Sequence, residues 1–362
     1  MKIGILTHPL RTNCGGILQN YALQTVIREL GHDVETIDRH NDWTFSYRVV
    51  SWIIRIIRKY VLKQNINIDF YMVPTRKQFL RDYSVFFSFI NEHIRLTPYI
   101  KCNKDLVKIN DYQYDVVVVG SDQVWFRNYL PWTFLEFLDE RIRRVSYAAS
   151  FGKSKLDYTK QQLDCARKGL QSFYAVSVRE DSGVIICKEH FDIDAVHVLD
   201  PTMLLSSDEY LKLCKDTAPV SNVPFLLSYI LDSNKEKKQF VNKIAEEKGL
   251  KVVNFYDLDT VSVERWISLF RDSSYVVTDS FHGTVFSIIF NKQFVSITNT
   301  ERGNARFDSL LKMFELNNHL ADARVLNSFD FSESHNIDFS KVNRIREIEK
   351  IKSLEFLKRA LS

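Results

Sequence analysis

The stretch Tyr275-Val-Val-Thr-Asp-Ser-Phe-His-Gly-Thr-Val-Phe-Ser-Ile-Ile-Phe290 joins an apolar strand to an apolar helix through a short polar turn. In a parallel βα unit, this order places His282 and Gly283 at the carboxyl edge of the sheet and at a helix N-terminus. Free backbone N–H groups and the helix dipole favour phosphate there, and Gly283 lets the backbone approach it closely. The stretch predicts an α/β fold with an anion-binding turn, in which His282 either transfers a proton or only caps the helix.

The same alternation of strand and helix runs outward from this segment in both directions. An unbroken apolar run such as Asp115-Val-Val-Val-Val-Gly120 is typical of a parallel strand that helices cover on both faces. Strands are predicted at 2–7, 34–38, 115–120, 144–148, 175–178 and 195–198, and again at 224–230, 251–255, 274–278 and 293–297.

Two series of strands predict two Rossmann-like domains that face each other across a cleft. We place the first domain at 1–205, with a helical insertion at 42–112. The second domain is expected at 206–339. A closing helix at 340–362 is expected to cross back onto the first domain.

Composition excludes several functional classes. The 362 residues are 45% hydrophobic and 26% charged with a net charge of +4, which describes an ordinary globular protein without a nucleic-acid signature. Five scattered cysteines without CxxC spacing predict reduced thiols, and no grouping has the spacing of a metal site. The first residues read as a strand and not as a signal peptide, so we expect a cytoplasmic protein.

Residues 48–63 form an amphipathic pattern, with Ile53, Ile54 and Ile57 on one helical face and Arg55, Arg58 and Lys59 elsewhere. Such a helix either packs its apolar face on the first domain or rests on a membrane surface. The sequence leaves both alternatives open.

Arg179 ends the predicted strand 175–178 and points toward the same cleft if the domains face each other. The planar guanidinium suits phosphate and carboxylate because it donates two hydrogen bonds at once. The alternative is a salt bridge with Glu180 or Asp181. Arg302 and Arg306 follow the strand 293–297 and reach the same cleft, unless they only begin a solvated helix.

Three further loops lie at predicted sheet edges. Gly15 and Gly16 open a helix as a phosphate loop does, although the pattern is neither GxGxxG nor a Walker A sequence. Amide and carboxylate groups bind sugar hydroxyls, and an indole covers the apolar face of a sugar. Each of these side chains also suits a turn or the core. The candidate sugar site comprises Gly15, Gly16, Gln19, Asn20, Ser121, Asp122, Gln123, Trp125 and Ser150.

Six segments of the chain form an ordered set. They are Gly15-Gly-Ile-Leu-Gln-Asn-Tyr-Ala-Leu23, Val119-Gly-Ser-Asp-Gln-Val-Trp125, Ser146-Tyr-Ala-Ala-Ser-Phe-Gly152, Ser177-Val-Arg-Glu180, Leu199-Asp-Pro-Thr202 and Thr278-Asp-Ser-Phe-His-Gly283. Taken in this order, they resemble the polysaccharide pyruvyl transferases. The resemblance covers about residues 1–320 and implies a fold similar to that of the GT-B glycosyltransferases. It also implies transfer of pyruvate from phosphoenolpyruvate onto a sugar as a cyclic ketal, so the first domain and its candidate sugar site are expected to hold the acceptor.

By this resemblance, His282 corresponds to the catalytic histidine and Arg179 to a phosphoenolpyruvate-binding arginine. Some members of the family have an arginine where this chain has Ser280, so Arg302 or Arg306 is expected to supply the missing contact. The resemblance implies no metal and no cofactor, with phosphoenolpyruvate as co-substrate. The candidate phosphoenolpyruvate site comprises Arg179, Ser280, Phe281, Gly283, Thr284, Arg302 and Arg306.

The sequence leaves two other functions open. A nucleotide-sugar glycosyltransferase has the same architecture, but many of these enzymes bind ribose through an acidic residue that Thr284–Phe290 lacks. A non-catalytic glycan-binding protein is the other alternative. If the acceptor is lipid-linked, residues 48–63 would bring the enzyme to the inner face of the cytoplasmic membrane.

Overall fold

The computed structural model describes residues 1–40, 45–61, 80–258, 261–299, 303–329 and 336–362. Part of the predicted insertion at 42–112 and all of Arg302 lie outside these ranges. The described residues include two parallel sheets and the helices that cover them.

The first domain is built on a six-stranded parallel sheet in the order β2-β1-β3-β4-β5-β6. Val116, Val117, Val118 and Val119 of the central strand β3 are fully buried, because helices cover both faces of the sheet. The strands are β1 Lys2–Leu6, β2 Asp33–Thr36, β3 Val116–Asp122, β4 Arg143–Ala149, β5 Ala175–Val178 and β6 Val196–His197. The helices are α1 Cys14–Glu29, α2 Phe45–Tyr60, α3 Ser84–His93, α4 Lys160–Leu170 and α5 Asp181–Phe191.

The second domain has a five-stranded parallel sheet in the order β11-β10-β9-β7-β8. Strand β9 lies between β7 and β10, so its carboxyl end opens at the middle of the sheet edge. The strands are β7 Phe225–Tyr229, β8 Lys251–Asn254, β9 Tyr275–Thr278, β10 Gln293–Ile297 and β11 Leu320–Ala321. The helices, after a linking α6 Ser207–Leu213, are α7 Lys235–Lys248, α8 Val263–Asp272, α9 Phe281–Ile289 and α10 Ala305–Met313.

The last helix, α11 Phe339–Ala360, packs against the first domain. Ser353 Oγ accepts a hydrogen bond of 2.9 Å from the backbone N–H of Leu199, and Arg143 donates one of 2.6 Å to the carbonyl of Ser362. The rings of Tyr147 and Phe356 lie 6.4 Å apart. The polypeptide therefore returns to the first domain after completing the second, as the sequence predicts.

The two domains share one continuous apolar core. It includes Ile17 and Leu18 of α1 together with Trp266 of α8 and Phe286 of α9. Two parallel sheets, each covered by helices, thus face each other with their carboxyl edges toward a common cleft. The predicted fold class, two Rossmann-like domains in a GT-B-like arrangement, is confirmed.

Helix α2 leaves much of its apolar side uncovered. Ile54 and Ile57 are each 47% exposed, and Val61 just beyond the helix is 70% exposed. The alternative in which this face packs on the first domain is therefore wrong for these side chains. No helix among the described residues is long and apolar enough to cross a membrane.

Candidate active site

A cavity of about 1070 Å³ lies between the two domains, at the carboxyl edges of both sheets. The first domain contributes His8, Arg11, Arg39 and Asp122 to its wall. The second domain contributes Ser280, Phe281, His282 and Arg306. This is the position at which open α/β sheets bind their ligands.

Asp279 anchors the turn that carries His282 to the neighbouring segments of the second domain. This buried carboxylate accepts hydrogen bonds from the backbone N–H groups of Leu231 (2.5 Å) and Asp232 (3.2 Å) and from Lys237 Nζ (2.7 Å). Ser280 then caps α9, since its Oγ accepts a hydrogen bond of 3.3 Å from the N–H of Gly283. The histidine is consequently fixed in the first turn of a capped helix.

His282 packs against the opening turn of α1 in the first domain. Asn13 caps that helix by accepting a hydrogen bond of 3.2 Å from the N–H of Gly16. A Cβ atom added to Gly15 would overlap Nδ1 and Cγ of His282. Gly15 is therefore glycine because the imidazole occupies the space beside it, and its predicted contact with the acceptor stays a prediction.

Buried charges of the first domain lie behind the imidazole. Arg179 donates to Asp200 at 2.7 Å and pairs with Asp122 at 3.4 Å. His282 Nε2 lies 3.8 Å from the same Asp200 carboxylate and has no hydrogen-bond partner among the described residues. His282, Asp200, Arg179 and Asp122 thus form a continuous network, which we call the charge network.

The charge network sets the protonation of its members. Burial raises the pKa of Asp200 and of Asp122. Arg179 and His282 lower both pKa values, and His8 also lowers that of Asp122. These interactions outweigh burial, so both pKa values fall below the ordinary range. Burial also lowers the pKa of His282; Asp200 and Asp122 oppose this effect, and Arg179 and Arg306 add to it. The imidazole is accordingly neutral near pH 7, beside two ionised carboxylates.

Arg179 lies near His282, as expected, but its acidic partners Asp122 and Asp200 are not the ones that the sequence suggested. Glu180 instead accepts a hydrogen bond of 2.7 Å from the N–H of Phe151, and Asp181 pairs with Lys312 at 3.0 Å. The alternative of a local salt bridge to Glu180 or Asp181 is therefore wrong. The Arg179 side chain is only 1% exposed and does not line the cavity, so its contact with phosphoenolpyruvate stays a prediction.

Arg306 presents a guanidinium from the second domain to the cavity. It is buried in the first turn of α10, and its Cζ lies 5.4 Å from the centre of the Phe281 ring. Arg179 lies over the same ring, at 4.4 Å. The alternative of a solvated helix start is wrong for Arg306, whereas Arg302 lies outside the described residues.

The predicted acceptor residues divide into two groups. Asp122 and Gln123 line the cavity. Gln19, Asn20, Ser121 and Ser150 are buried, and each makes hydrogen bonds within the first domain, for example Ser121 Oγ to Asp200 and Ser150 Oγ to Glu180. These four residues support the walls of the cavity instead of forming its surface.

Trp125 requires a correction. Its side chain is fully buried against Phe134, Phe151 and Phe173, and its indole N–H donates to the carbonyl of Thr133 at 3.3 Å. An indole without exposed surface cannot cover a sugar ring, so the predicted sugar platform is wrong. Gly283 and Thr284 are likewise buried, where Thr284 Oγ1 lies 2.6 Å from Ser296 Oγ.

Four residues of the site were not assigned a role from the sequence. His8 and Arg11 follow β1, Arg39 follows β2, and Asp200 follows β6. Asp200 belongs to one of the six family-like segments, and its place after a strand was the available signal. The three basic residues lie in loops without a recognisable motif, so only the folded chain brings them together.

Comparisons with known proteins bear on the family and the fold. The UDP-GlcNAc 2-epimerase of Methanocaldococcus jannaschii is 12% identical with a TM-score of 0.49, and the match covers 96% of this chain and 99% of that one. The corresponding epimerase of Neisseria meningitidis is 10% identical with a TM-score of 0.48, covering 98% and 100%. An alpha-glucosyltransferase in complex with UDP-glucose and DNA is 10% identical with a TM-score of 0.43, covering 99% and 94%. Likenesses of this size carry no information about activity.

No curated protein is a significant sequence match to this chain. The family model described as polysaccharide pyruvyl transferase matches residues 13–301. This range is more than half of the chain and includes the turns of both domains that meet at His282. The chain therefore belongs to the polysaccharide pyruvyl transferase family.

Proposed function

We propose that this protein transfers pyruvate from phosphoenolpyruvate to two hydroxyl groups of a sugar in a bacterial surface polysaccharide or its lipid-linked precursor, forming a cyclic ketal. The observation that carries the proposal is His282, a buried neutral imidazole that faces a cavity with several basic side chains. Family membership supports the reaction class.

The reaction requires two proton movements. One sugar hydroxyl attacks C2 of phosphoenolpyruvate and gives up its proton to a base, and one proton adds to C3 in return, which turns the methylene into a methyl group. The C2–O bond to phosphate then breaks, and the second hydroxyl closes the ketal as its proton leaves with phosphate. A base beside the attacking hydroxyl and cations around the phosphate are therefore the groups that the chain must supply.

His282 suits the role of the base. Its low pKa keeps the imidazole ready to accept a proton near pH 7. Asp200, at 3.8 Å from Nε2, then stabilises the imidazolium that forms. Arg179 holds this carboxylate in place and in its ionised form, so we assign Arg179 a positioning role in addition to its predicted contact with the donor.

Arg306 and the N-terminus of α9 suit the anionic donor. The N-terminal end of a helix favours negative charge, and a buried guanidinium binds phosphate or carboxylate in a fixed geometry. Ser280 occupies the position where some relatives have an arginine, and here its hydroxyl caps the helix. Arg306 is accordingly our candidate for the contact that Ser280 cannot make.

Helix α2 supports a lipid-linked acceptor. Residues 45–63 contain five arginine or lysine residues and no acidic residue. Ile54, Ile57 and Val61 are exposed beside Arg58. A positive helix with an exposed apolar side is complementary to an anionic lipid surface. We propose that α2 holds the enzyme at the inner face of the cytoplasmic membrane.

The decisive experiment measures phosphate released from phosphoenolpyruvate with a panel of sugar acceptors and records the mass of each product. The expected product is heavier than its acceptor by one pyruvate less one water. The parallel reaction with nucleotide sugars tests the glycosyltransferase alternative. Glycosyl transfer from a nucleotide sugar, with no phosphate released from phosphoenolpyruvate, would overturn the proposal.

A further inference from the structure

The first-domain wall of the cavity carries a group of basic side chains that the proposed chemistry at His282 does not use. His8 and Arg11 follow β1, and Arg39 follows the neighbouring parallel strand β2. The carboxyl ends of neighbouring parallel strands meet at one sheet edge. All three residues consequently line the same part of the cavity.

Arg39 is a buried cation whose positive charge no described carboxylate balances. It is only 6% exposed. Its Nη1 donates to Asn103 Oδ1 at 2.8 Å and its Nη2 to the carbonyl of Thr7 at 3.3 Å, while Nε has no partner among the described residues. Burial and the neighbouring Arg11 lower the pKa of Arg39 to about 10, which still leaves it charged at neutral pH.

Two other buried arginines, Arg144 and Arg179, show two ways in which a structural guanidinium is accommodated. Arg144 donates to the carbonyls of Leu135, Leu138 and Ile142, and it does not line the cavity. Arg179 is paired with two carboxylates. Within the described part of the chain, Arg39 has neither three carbonyl acceptors nor an acidic partner, and a second cation lies beside it. A buried charge without a counter-charge is costly, so the missing negative charge is expected from a ligand.

The position of Arg39 separates it from the donor side of the cavity. The charges that act most strongly on His282 are Asp200, Asp122, Arg179 and Arg306, whereas Arg39 acts on His8. His8 in turn interacts with Asp122. Arg39 thus lies closer to His8 than to His282, at the first-domain wall of the cavity.

We propose that Arg39, Arg11 and His8 form a subsite for the phosphate or diphosphate group of the acceptor, so that the acceptor is a sugar phosphate or diphosphate and not a neutral glycan. This inference rests on the proposed function. In a sugar phosphate, the ring separates the phosphate from the hydroxyls that react, which matches a basic subsite set apart from His282. Guanidinium groups bind such oxygens through paired hydrogen bonds.

The test uses inorganic pyrophosphate as the probe, with binding measured by calorimetry in the presence and absence of phosphoenolpyruvate. Arg39→Gln is expected to weaken pyrophosphate binding at least about tenfold, since a charge-assisted hydrogen bond is lost, and to leave phosphoenolpyruvate binding unchanged. Arg306→Gln is expected to do the reverse. Arg39→Lys, which keeps the charge without the planar fork, is expected to recover part of the affinity.

Stability separates a ligand-binding role from a structural one. Without ligand, Arg39→Gln should melt close to the parent protein, because the removal of an unbalanced buried charge offsets the loss of the hydrogen bonds to Asn103 and Thr7. Arg144→Gln should melt lower, because it leaves buried carbonyls without donors, and it should bind pyrophosphate as the parent does. A fall in melting temperature for Arg39→Gln as large as that for Arg144→Gln would overturn the proposal.

Four binding results would also overturn it: no pyrophosphate binding by the parent protein, equal binding by Arg39→Gln, equal weakening of both ligands, or displacement of phosphoenolpyruvate by pyrophosphate. The last two would assign Arg39 to the phosphate of the donor. Pyrophosphate binding requires no turnover, so its selective loss in Arg39→Gln would stand even if phosphoenolpyruvate released no phosphate. In that case the proposed function would fail and the subsite would remain.

Discussion

Two helix N-termini, one from each domain, meet in the cleft with the same local structure and different chemistry. Asn13 caps α1 through the N–H of Gly16, and Ser280 caps α9 through the N–H of Gly283. Each turn therefore places one residue at the same second helical position. That residue is Gly15 in the first domain and His282 in the second.

Because of the difference at this position, the two turns have different roles. The second-domain turn carries the reactive side chain, and the first-domain turn leaves space for it, because a Cβ on Gly15 would overlap the imidazole. A glycine beside a capped helix is commonly interpreted as a phosphate loop. Here the geometry shows that Gly15 accommodates a side chain from the other domain, so the meaning of the glycine depends on the partner turn.

The largest effect is expected from His282→Ala, which removes the reactive member of the pair. General acid–base catalysis contributes about 10²- to 10⁴-fold, so kcat for phosphate release should fall by that factor. His319→Gln is the matched control, since His319 is buried with its Nδ1 3.1 Å from the carbonyl of Phe294 and does not line the cavity. The control should melt lower but keep kcat within about twofold of the parent, and full activity of His282→Ala would remove His282 from the mechanism.

The next largest effect is expected from Gly15→Ala, which places a methyl group of the first-domain turn in the space that the His282 imidazole occupies. A displaced imidazole should reduce kcat up to about 100-fold, since a misplacement of about 1 Å costs that much. Gly16→Ala is the neighbouring control, because its Cβ would lie 3.3 Å from Asn13 Nδ2, at the end of an adaptable side chain. The free energy of unfolding of Gly16→Ala should change by no more than about 1 kcal/mol.

A double variant shows whether Gly15 acts through His282. Once His282→Ala has removed the imidazole, Gly15→Ala meets only the remaining Cβ of residue 282, at 2.8 Å, so it should lower the melting temperature much less than in the parent. Such non-additivity is characteristic of residues in direct contact. If Gly15→Ala destabilised both backgrounds equally, the proposed reason for the glycine would be wrong.

Much of this fold could be predicted from the sequence, because buried parallel strands carry an unmistakable pattern. The runs at 115–120 and 275–278 are apolar on both faces, and each appears as a central strand. The position of His282 after such a strand also predicted its place at the sheet edge. Local sequence order determines these features, so they can be inferred without tertiary contacts.

Side-chain surroundings could not be predicted in the same way. Trp125 and Asp122 both come after the predicted strand 115–120, yet Trp125 is buried among aromatic rings and Asp122 lines the cavity. The acidic partners of Arg179 lie at the end of β3 and after β6, while its immediate neighbours Glu180 and Asp181 bind elsewhere. These choices depend on how distant segments pack together, and sequence spacing carries little information about that.

A smaller effect concerns pH, because the second-domain turn carries an imidazole where the facing first-domain turn carries a thiol. Burial lowers the pKa of His282 below its ordinary value of 6.5, whereas burial raises the pKa of Cys14 in the facing turn and keeps it a neutral thiol. If neutral His282 is the base, kcat/KM should hold down to pH 6.5 and fall only below it. NMR titration of the imidazole, assigned with His282→Gln, would locate this pKa directly.

The same shift predicts how stability responds to acid. The unfolded chain protonates His282 near pH 6.5, while the folded protein resists protonation, so the stability from the neutral imidazole is present above that pH and is lost as pH falls below it. His282→Gln should lose less stability between pH 7 and pH 5 than the parent does. An imidazole pKa above 6.5 would contradict both expectations.

The smallest effect tests whether the first domain serves a membrane-linked acceptor while the second domain serves a soluble donor. Replacement of Arg58 and Lys59 by glutamine should weaken binding to vesicles that contain phosphatidylglycerol by about fivefold per residue, with little change on phosphatidylcholine alone. Lys358→Gln with Arg359→Gln, an exposed pair of equal charge on α11, is the control and should bind as the parent does. The KM for phosphoenolpyruvate should be the same in all three proteins, because α2 contributes no described residue to the cavity. If both double variants lost binding equally, net charge alone would explain the attraction, and α2 would have no special role in holding the first domain at the lipid surface.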